Sequence, residues 1–191
     1  MLDDFELALI WQGAERLGYP FGPYFQLLIL TGQRREEVAG MRWGEINSAL
    51  TLWTIPRERV KNNEPHAVPL VPWARSLLAS LPRIGDSDFV FTSNGDASIS
   101  GYSKAKAALD AEIAKLNGGE PIAPFVVHDL RRTAATNWVK LGVALPTVEK
   151  LLNHVSGVFG GVSGIYNRHD FADKKKQALE CWAFHLAGIL P

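Results

Sequence analysis

The chain has 191 residues, of which 47% are hydrophobic and 21% are charged, the ordinary balance of a globular protein that folds without a disulfide or a metal. Its single cysteine, Cys181, excludes an internal disulfide. No apolar run approaches the roughly 18 residues of a membrane span. We therefore expect a cytoplasmic protein with no membrane partner. Lysine plus arginine and aspartate plus glutamate number 20 each, and this zero net charge argues against a strongly basic nucleic-acid-binding domain but not against a locally basic face.

Apolar periodicity and glycine or proline breaks organise the first part of the chain. They predict three helices, over residues 3–17, 24–30 and 34–41. A loop at 18–23 is expected to separate the first two helices. Gly32 is expected to end the second helix, since glycine readily takes the left-handed conformation found at helix ends.

Two strand-like stretches follow, at 50–55 and 66–70, and the polar stretch 56–65 joins them as a hairpin loop. A further strand is expected near 43–46. The remaining periodic segments predict helices over 73–81, 102–116, 128–141, 147–153 and 171–186. We therefore expect an α+β fold, mainly helical, with a small antiparallel three-stranded sheet, in a single domain over residues 1–191.

The first segment with candidate functional residues surrounds Arg34. This arginine follows the glycine break at the start of a helix, where its charge and the free backbone N–H groups suit a phosphate. The alternative is a solvated helix start with a salt bridge to Glu36 or Glu37.

The second segment is the hairpin loop. Lys61 lies on a β-turn from which a lysine can reach a substrate and donate a proton. The alternative is an ordinary exposed turn.

The third segment contains His128 and Arg131, which lie three residues apart and hence on one face of a helix. A proton-transfer group beside a forked cation suits a phosphate ester. The alternative is a histidine at a helix start beside a surface arginine. One cysteine and scattered histidines offer no ligand set for a metal, so we expect no metal site.

The fourth segment contains His154 and, after a glycine-rich stretch, Tyr166. Taken singly, each of these residues is more often structural. A buried tyrosine usually needs only a partner for its hydroxyl.

The order and spacing of these residues resemble the tyrosine recombinase family over about residues 5–185. The matching motifs are Thr31-Gly32-x-Arg34-x-x-Glu37 with Met41-Arg42-Trp43-x-x-Ile46, Lys61 before Val68-Pro69-Leu70, His128-x-x-Arg131 with Thr133-Ala134-Ala135, Leu152-Asn153-His154, and Tyr166. Asn153 stands where the family usually has glycine, and the stretch before Tyr166 is longer than in the shortest members. His169, close after Tyr166, is a second histidine that could take part.

The resemblance implies site-specific DNA recombination, the integration or excision of a phage or genomic island, without metal or other cofactor. Tyr166 would attack the scissile phosphate, form a 3′-phosphotyrosine and release a 5′-hydroxyl. Arg34 and Arg131 would hold the phosphate oxygens with forked donors that lysine cannot copy. The roles implied for the other residues are base for His128, general acid for Lys61 and hydrogen-bond donor to the phosphate for His154.

The implied partner is double-stranded DNA, with Arg57, Arg59 and Arg132 as further DNA-binding residues. The resemblance also implies a tetramer on DNA, with a monomer as the alternative in its absence. The chain would be a catalytic domain without the family's N-terminal core-binding and arm-binding domains. Alternatives are a type IB topoisomerase, a DNA-binding module that has lost catalysis, and a phosphoesterase that uses water.

Overall fold

The computed structural model describes residues 1–154 and 168–190. These residues form eight α-helices and one two-stranded antiparallel sheet. The elements in chain order are α1 (Asp4–Leu17), α2 (Phe21–Thr31), α3 (Arg35–Ala39), β1 (Leu52–Ile55), β2 (His66–Pro69), α4 (Pro72–Ala79), α5 (Tyr102–Leu116), α6 (Val127–Lys140), α7 (Leu145–Leu151) and α8 (Arg168–Ile189). The predicted α+β, mainly helical class is confirmed.

Helix α2 forms the centre of the core. It begins at Phe21, inside the stretch 18–23 that we expected to be a loop. Pro23 falls in the first turn, where a backbone N–H has no helical partner, so the proline does not break the helix. Helices α1, α4, α6 and α8 pack around α2, and nine of its eleven residues are buried.

The sheet is a hairpin in which Trp53 pairs with Val68 and Ile55 with His66. The predicted third strand at 43–46 is wrong. Residues Trp43–Glu45 form a 3-10 turn instead, and Ile46 makes only an isolated bridge with Trp53. The Glu45 carboxylate holds this turn, because it accepts hydrogen bonds from the Trp53 indole at 2.9 Å and from the Arg59 guanidinium.

Helix α8 packs against α2, α6, α7 and β2. Leu179, Trp182 and Leu186 are buried, and the Trp182 indole donates to the Ile29 carbonyl of α2 at 2.8 Å. Near the front of α8, the buried Lys175 ammonium donates to the Ala67 carbonyl of β2. Within the described residues, no helix combines the length and apolarity that a membrane span requires.

Gly32 ends α2 as predicted. Its φ of 62° is left-handed, and its N–H donates to the Leu28 carbonyl at 2.9 Å. A Cβ at this position would lie 2.7 Å from the Trp138 ring, so α6 packs against the backbone of Gly32 itself. The turn therefore delivers the chain directly into the segment that contains Arg34.

We expect Gly32→Ala to destabilise the fold more than Gly118→Ala. Both glycines have a left-handed φ, 62° and 69°, so alanine strains both by about 1–2 kcal/mol. Only Gly32 would also meet a ring, since nothing lies within 4 Å of a Cβ at Gly118. Overpacking typically adds about 1–3 kcal/mol. Urea denaturation measures the free energy of unfolding, and equal losses in the two variants would contradict the packing argument.

Candidate active site

Of the predicted site residues that the structure describes, Arg131 is the most deeply enclosed, with 4% of its surface exposed. Helix α6 carries it, and its Nη1 donates to the Gly32 carbonyl at 2.9 Å while its Nη2 donates to the Leu152 carbonyl at 2.5 Å. These two acceptors end helices α2 and α7, where helical carbonyls lack partners. The guanidinium is therefore fixed in one orientation by backbone atoms.

Arg34 is held by Glu37, one turn along α3. The Arg34 Nη1 lies 2.8 Å from Glu37 Oε1, and the Arg34 backbone N–H donates to Glu37 Oε2 at 2.9 Å. Its Nη2 also approaches the Asn153 carbonyl at 3.5 Å. The side chain of Glu37 is 3% exposed and that of Arg34 is 28% exposed, so a buried carboxylate orients an arginine that still reaches the surface.

The two guanidinium groups repel each other. Burial, and then the nearby charge of Arg34, lower the pKa of Arg131 to about 10. The carboxylates of Glu37 and Glu149 offset only part of this effect. Two interacting cations, one held by backbone carbonyls and the other by a buried carboxylate, form a place where an anion is stabilised.

His154 lies at the end of α7, beside Arg131. Its Nδ1 is 3.3 Å from Glu149 Oε2, and its Nε2 is 3.4 Å from Arg131 Nη2. Arginine only donates, so this Nε2 accepts and the proton is assigned to Nδ1, which faces the carboxylate. Donation from Nε2 to a phosphate would require the ring to gain a proton or to turn.

His128 stands at the start of α6, one turn before Arg131. Desolvation, followed by the charges of Arg131 and Arg132, lowers the pKa of His128 below its ordinary value. The imidazole is therefore neutral at neutral pH and able to accept a proton, as the predicted base must be.

Lys61 lies in the hairpin loop, on the side of the molecule that carries Arg34 and His128. It lines an open groove together with Arg34, Glu37, Arg59 and His128. Within the described residues its ammonium makes no hydrogen bond or ion pair, so the group is available to a ligand. Four predicted site residues, those at 34, 59, 61 and 128, thus come from distant parts of the sequence to one groove, and Arg131 lies near Arg34.

The three residues predicted to bind DNA differ in their surroundings. Arg57 is exposed and pairs with its neighbour Glu58 at 3.0 Å. Arg132 is exposed and pairs with Asp129 at 3.0 Å. Arg59 is largely enclosed, and it is bound by the Glu45 carboxylate and, at 2.7 Å, by the Glu37 carbonyl. Arg59 therefore also holds the hairpin against α3.

The predicted nucleophile, Tyr166, lies outside the described residues, and so does the side chain of His169. Tyr166 therefore remains a prediction from the motif. Among the described residues, no three histidine, cysteine, aspartate or glutamate side chains are grouped as a metal site would require.

Sequence reasoning missed a buried polar network behind the arginines. Gln33 Nε2 donates to the Leu151 carbonyl at 3.1 Å, and His66 Nε2 lies 3.1 Å from both Gln33 Oε1 and that same carbonyl. Two acceptors face His66 Nε2, so we assign the proton to this nitrogen. Burial and then the charge of Lys175 lower the pKa of His66 to about 3. The signal in the sequence was the alternation of β2, which places His66 on the buried side with Val68.

The family model described as the phage integrase family matches residues 2–172, which include every predicted site residue. The chain belongs to the phage integrase family. Prophage integrase IntA of Escherichia coli strain K12 is 32% identical over 161 residues, which cover 83% of this chain and 37% of IntA. The chain therefore spans well under half the length of this relative integrase.

Solved structures of integrases share the fold. The lambda integrase catalytic core matches with a TM-score of 0.61 at 20% identity, over 80% of this chain and 94% of that one. A lambda integrase tetramer bound to a Holliday junction matches with a TM-score of 0.62 at 19% identity, over 86% of this chain and 49% of that one. The predicted tyrosine recombinase catalytic fold is confirmed, except for the third strand.

Replacing His66 should flatten the acid side of the stability curve of this integrase-family chain. The unfolded imidazole takes a proton near pH 6.5, whereas the folded one resists protonation until about 3. Below 6.5 the unfolded state therefore binds more protons, and the free energy of unfolding falls by up to about 1.4 kcal/mol per pH unit. His66→Gln keeps an N–H donor and removes this titration.

Urea denaturation of both proteins from pH 7 to pH 4 measures the effect. We expect the wild-type curve to be steeper than that of His66→Gln below 6.5 and parallel to it above. Parallel curves over the whole range would show that His66 is not the buried neutral group described here.

Proposed function

We propose that this chain cleaves and rejoins DNA strands at specific sites, as a tyrosine-type recombinase that integrates or excises a mobile element. One observation carries the proposal. Arg34 and Arg131 are held close together, against their mutual repulsion, by Glu37 and by the carbonyls that end α2 and α7. A phosphodiester in the cleavage transition state carries the negative charge that such a pair stabilises.

The chemistry assigned to the site is transfer of a phosphoryl group to a tyrosine and back. The Tyr166 hydroxyl attacks the phosphorus, the P–O5′ bond breaks, and a 3′-phosphotyrosine forms. A 5′-hydroxyl of another strand then attacks this link and releases the tyrosine. The energy of the phosphodiester bond is retained in the protein–DNA link, so no cofactor is required.

The proton transfers are assigned to two groups that face the groove. His128 is neutral at neutral pH, and it would take the proton from the tyrosine, which is a weak nucleophile while protonated. Lys61 would give a proton to the leaving 5′-oxygen. His154 would bind a phosphate oxygen once its Nε2 carries a proton.

The partner in this proposal is double-stranded DNA. Arg57, Arg59 and Arg132 would contact phosphates beyond the scissile one, with the salt dependence that such contacts confer. The lambda integrase neighbour that is a tetramer on a Holliday junction supports a tetramer on DNA for this chain. A monomer is the alternative that we propose in the absence of DNA. We further propose that residues 1–191 form one catalytic domain that works in the cytoplasm.

A nicked suicide duplex tests the nucleophile. With DNA from the junctions of the element that carries the gene, the wild type should form a covalent protein–DNA complex that survives SDS. Tyr166→Phe should form none, because it lacks the attacking oxygen. Tyr24→Phe is the matched control, since it removes a buried hydroxyl that has no hydrogen-bond partner in the described residues. Cleavage without a covalent complex would mean that water is the nucleophile and would overturn the proposal.

Arg131→Lys tests the forked donor. Lysine keeps the charge but cannot reach two backbone carbonyls and a phosphate together, so covalent-complex formation should slow by about 10²–10³-fold. Arg16→Lys is the control, because Arg16 is half exposed and 4.0 Å from its partner Glu112. Circular dichroism checks that both variants are folded. Near wild-type cleavage by Arg131→Lys would remove the guanidinium from the reaction.

A further inference from the structure

The side chains of Asn62 and Asn153 form a reciprocal pair, which we call the amide clasp. Asn62 Nδ2 donates to Asn153 Oδ1 at 2.7 Å, and Asn153 Nδ2 donates to Asn62 Oδ1 at 3.2 Å. The two residues are 91 positions apart, one in the hairpin loop and one after α7. Both are partly buried, so water competes only weakly for these hydrogen bonds.

Asn153 connects the clasp to the arginines. Its φ of 49° is left-handed, a conformation that asparagine tolerates better than most residues other than glycine. Its carbonyl faces Arg34 Nη2 at 3.5 Å. Glycine at this position would provide the backbone turn without the amide, so asparagine adds a contact that a glycine cannot make.

The clasp tethers the part of the hairpin loop that carries Lys61, beyond the anchor that Arg59 provides at the start of the loop. Among the described residues, it provides the only side-chain hydrogen bonds between residues 60–65 and the rest of the chain. Val60 is buried beside it, whereas Lys61 and residues 63–65 are exposed. Since a lysine ammonium sits on a flexible four-carbon stem, its reach depends on where the backbone is held.

We propose that Asn62 and Asn153 are positioning residues for Lys61. The clasp holds the lysine loop against the end of α7, so that the ammonium lies beside the phosphate bound by the two arginines. In the step concerned, the tyrosine O–P bond forms and the P–O5′ bond breaks. The 5′-oxygen keeps the electron pair and takes a proton from Lys61. This inference rests on the proposed function, in which Lys61 is the general acid.

A sulfur-substituted substrate tests the role of the clasp in proton donation. A 5′-bridging sulfur leaves as a thiolate, which needs no proton because thiols are far more acidic than alcohols. Asn153→Gly keeps the left-handed turn and loses the clasp. On the ordinary oxygen substrate it should slow covalent-complex formation by about tenfold to hundredfold, part of the contribution of a general acid. On the sulfur substrate its rate should return to that of the wild type.

Two further comparisons sharpen this test. Lys61→Ala should show the same rescue by sulfur, and adding Asn153→Gly to it should cause no further slowing on oxygen, because the clasp acts through the lysine. Asn63→Gly is the matched control, since Asn63 is a neighbouring asparagine with a left-handed φ of 56° outside the clasp. Equal slowing of Asn153→Gly on both substrates, or an equal loss in Asn63→Gly, would overturn the inference.

Amide hydrogen exchange without DNA separates this inference from the proposed function. Asn153→Gly and Asn62→Ala should raise the exchange of residues 60–64 by about tenfold or more, as loss of a tether opens a loop locally. Unchanged exchange would overturn the clasp even if the wild type cleaves DNA. Faster exchange in a protein that forms no covalent complex would instead count against the proposed function alone.

Discussion

The candidate site depends on three successive backbone carbonyls at the end of α7, those of residues 151–153. Polar side chains of the site point their N–H groups at these carbonyls. The first accepts from Gln33 and from His66, the second from Arg131, and the third is approached by Arg34. Carbonyls at a helix end have no helical partner and carry the negative end of the helix dipole. The end of a short helix thus provides one of the two carbonyl acceptors of the buried Arg131 guanidinium.

This arrangement explains why the site is rigid on its inner side and open on its outer side. On the inner side, backbone carbonyls hold Arg131 and the buried Glu37 carboxylate holds Arg34. These acceptors belong to the folded chain, so a substrate does not displace them as it displaces bound water. The donors that remain face the groove, together with Lys61 and His128. Holding charged groups in place before a substrate arrives avoids reorganisation during the reaction, which is how such donors stabilise a transition state.

Local patterns in the sequence predicted the local structure well. The end of α2 at Gly32, the hairpin and the shared face of His128 and Arg131 all follow from turn chemistry and periodicity. The third strand failed because the Glu45 side chain holds a 3-10 turn, an effect of contacts rather than of propensity. The network at His66 could not be predicted, because its partners are 33 and 85 residues away in sequence.

The acid–base behaviour of the site follows from the same arrangement. The pKa values of His66, His128, Arg131 and Lys175 are all lowered, chiefly by desolvation, with a neighbouring positive charge second in each case. An anion that binds the arginines would offset their positive charge, which lowers the pKa of His128, and would therefore raise that pKa. Binding is reciprocal, so His128 would become a stronger base when a phosphate is in place. In the proposed reaction, the neutral imidazole of the free protein would therefore take the tyrosine proton more readily once the phosphate that the tyrosine attacks is bound.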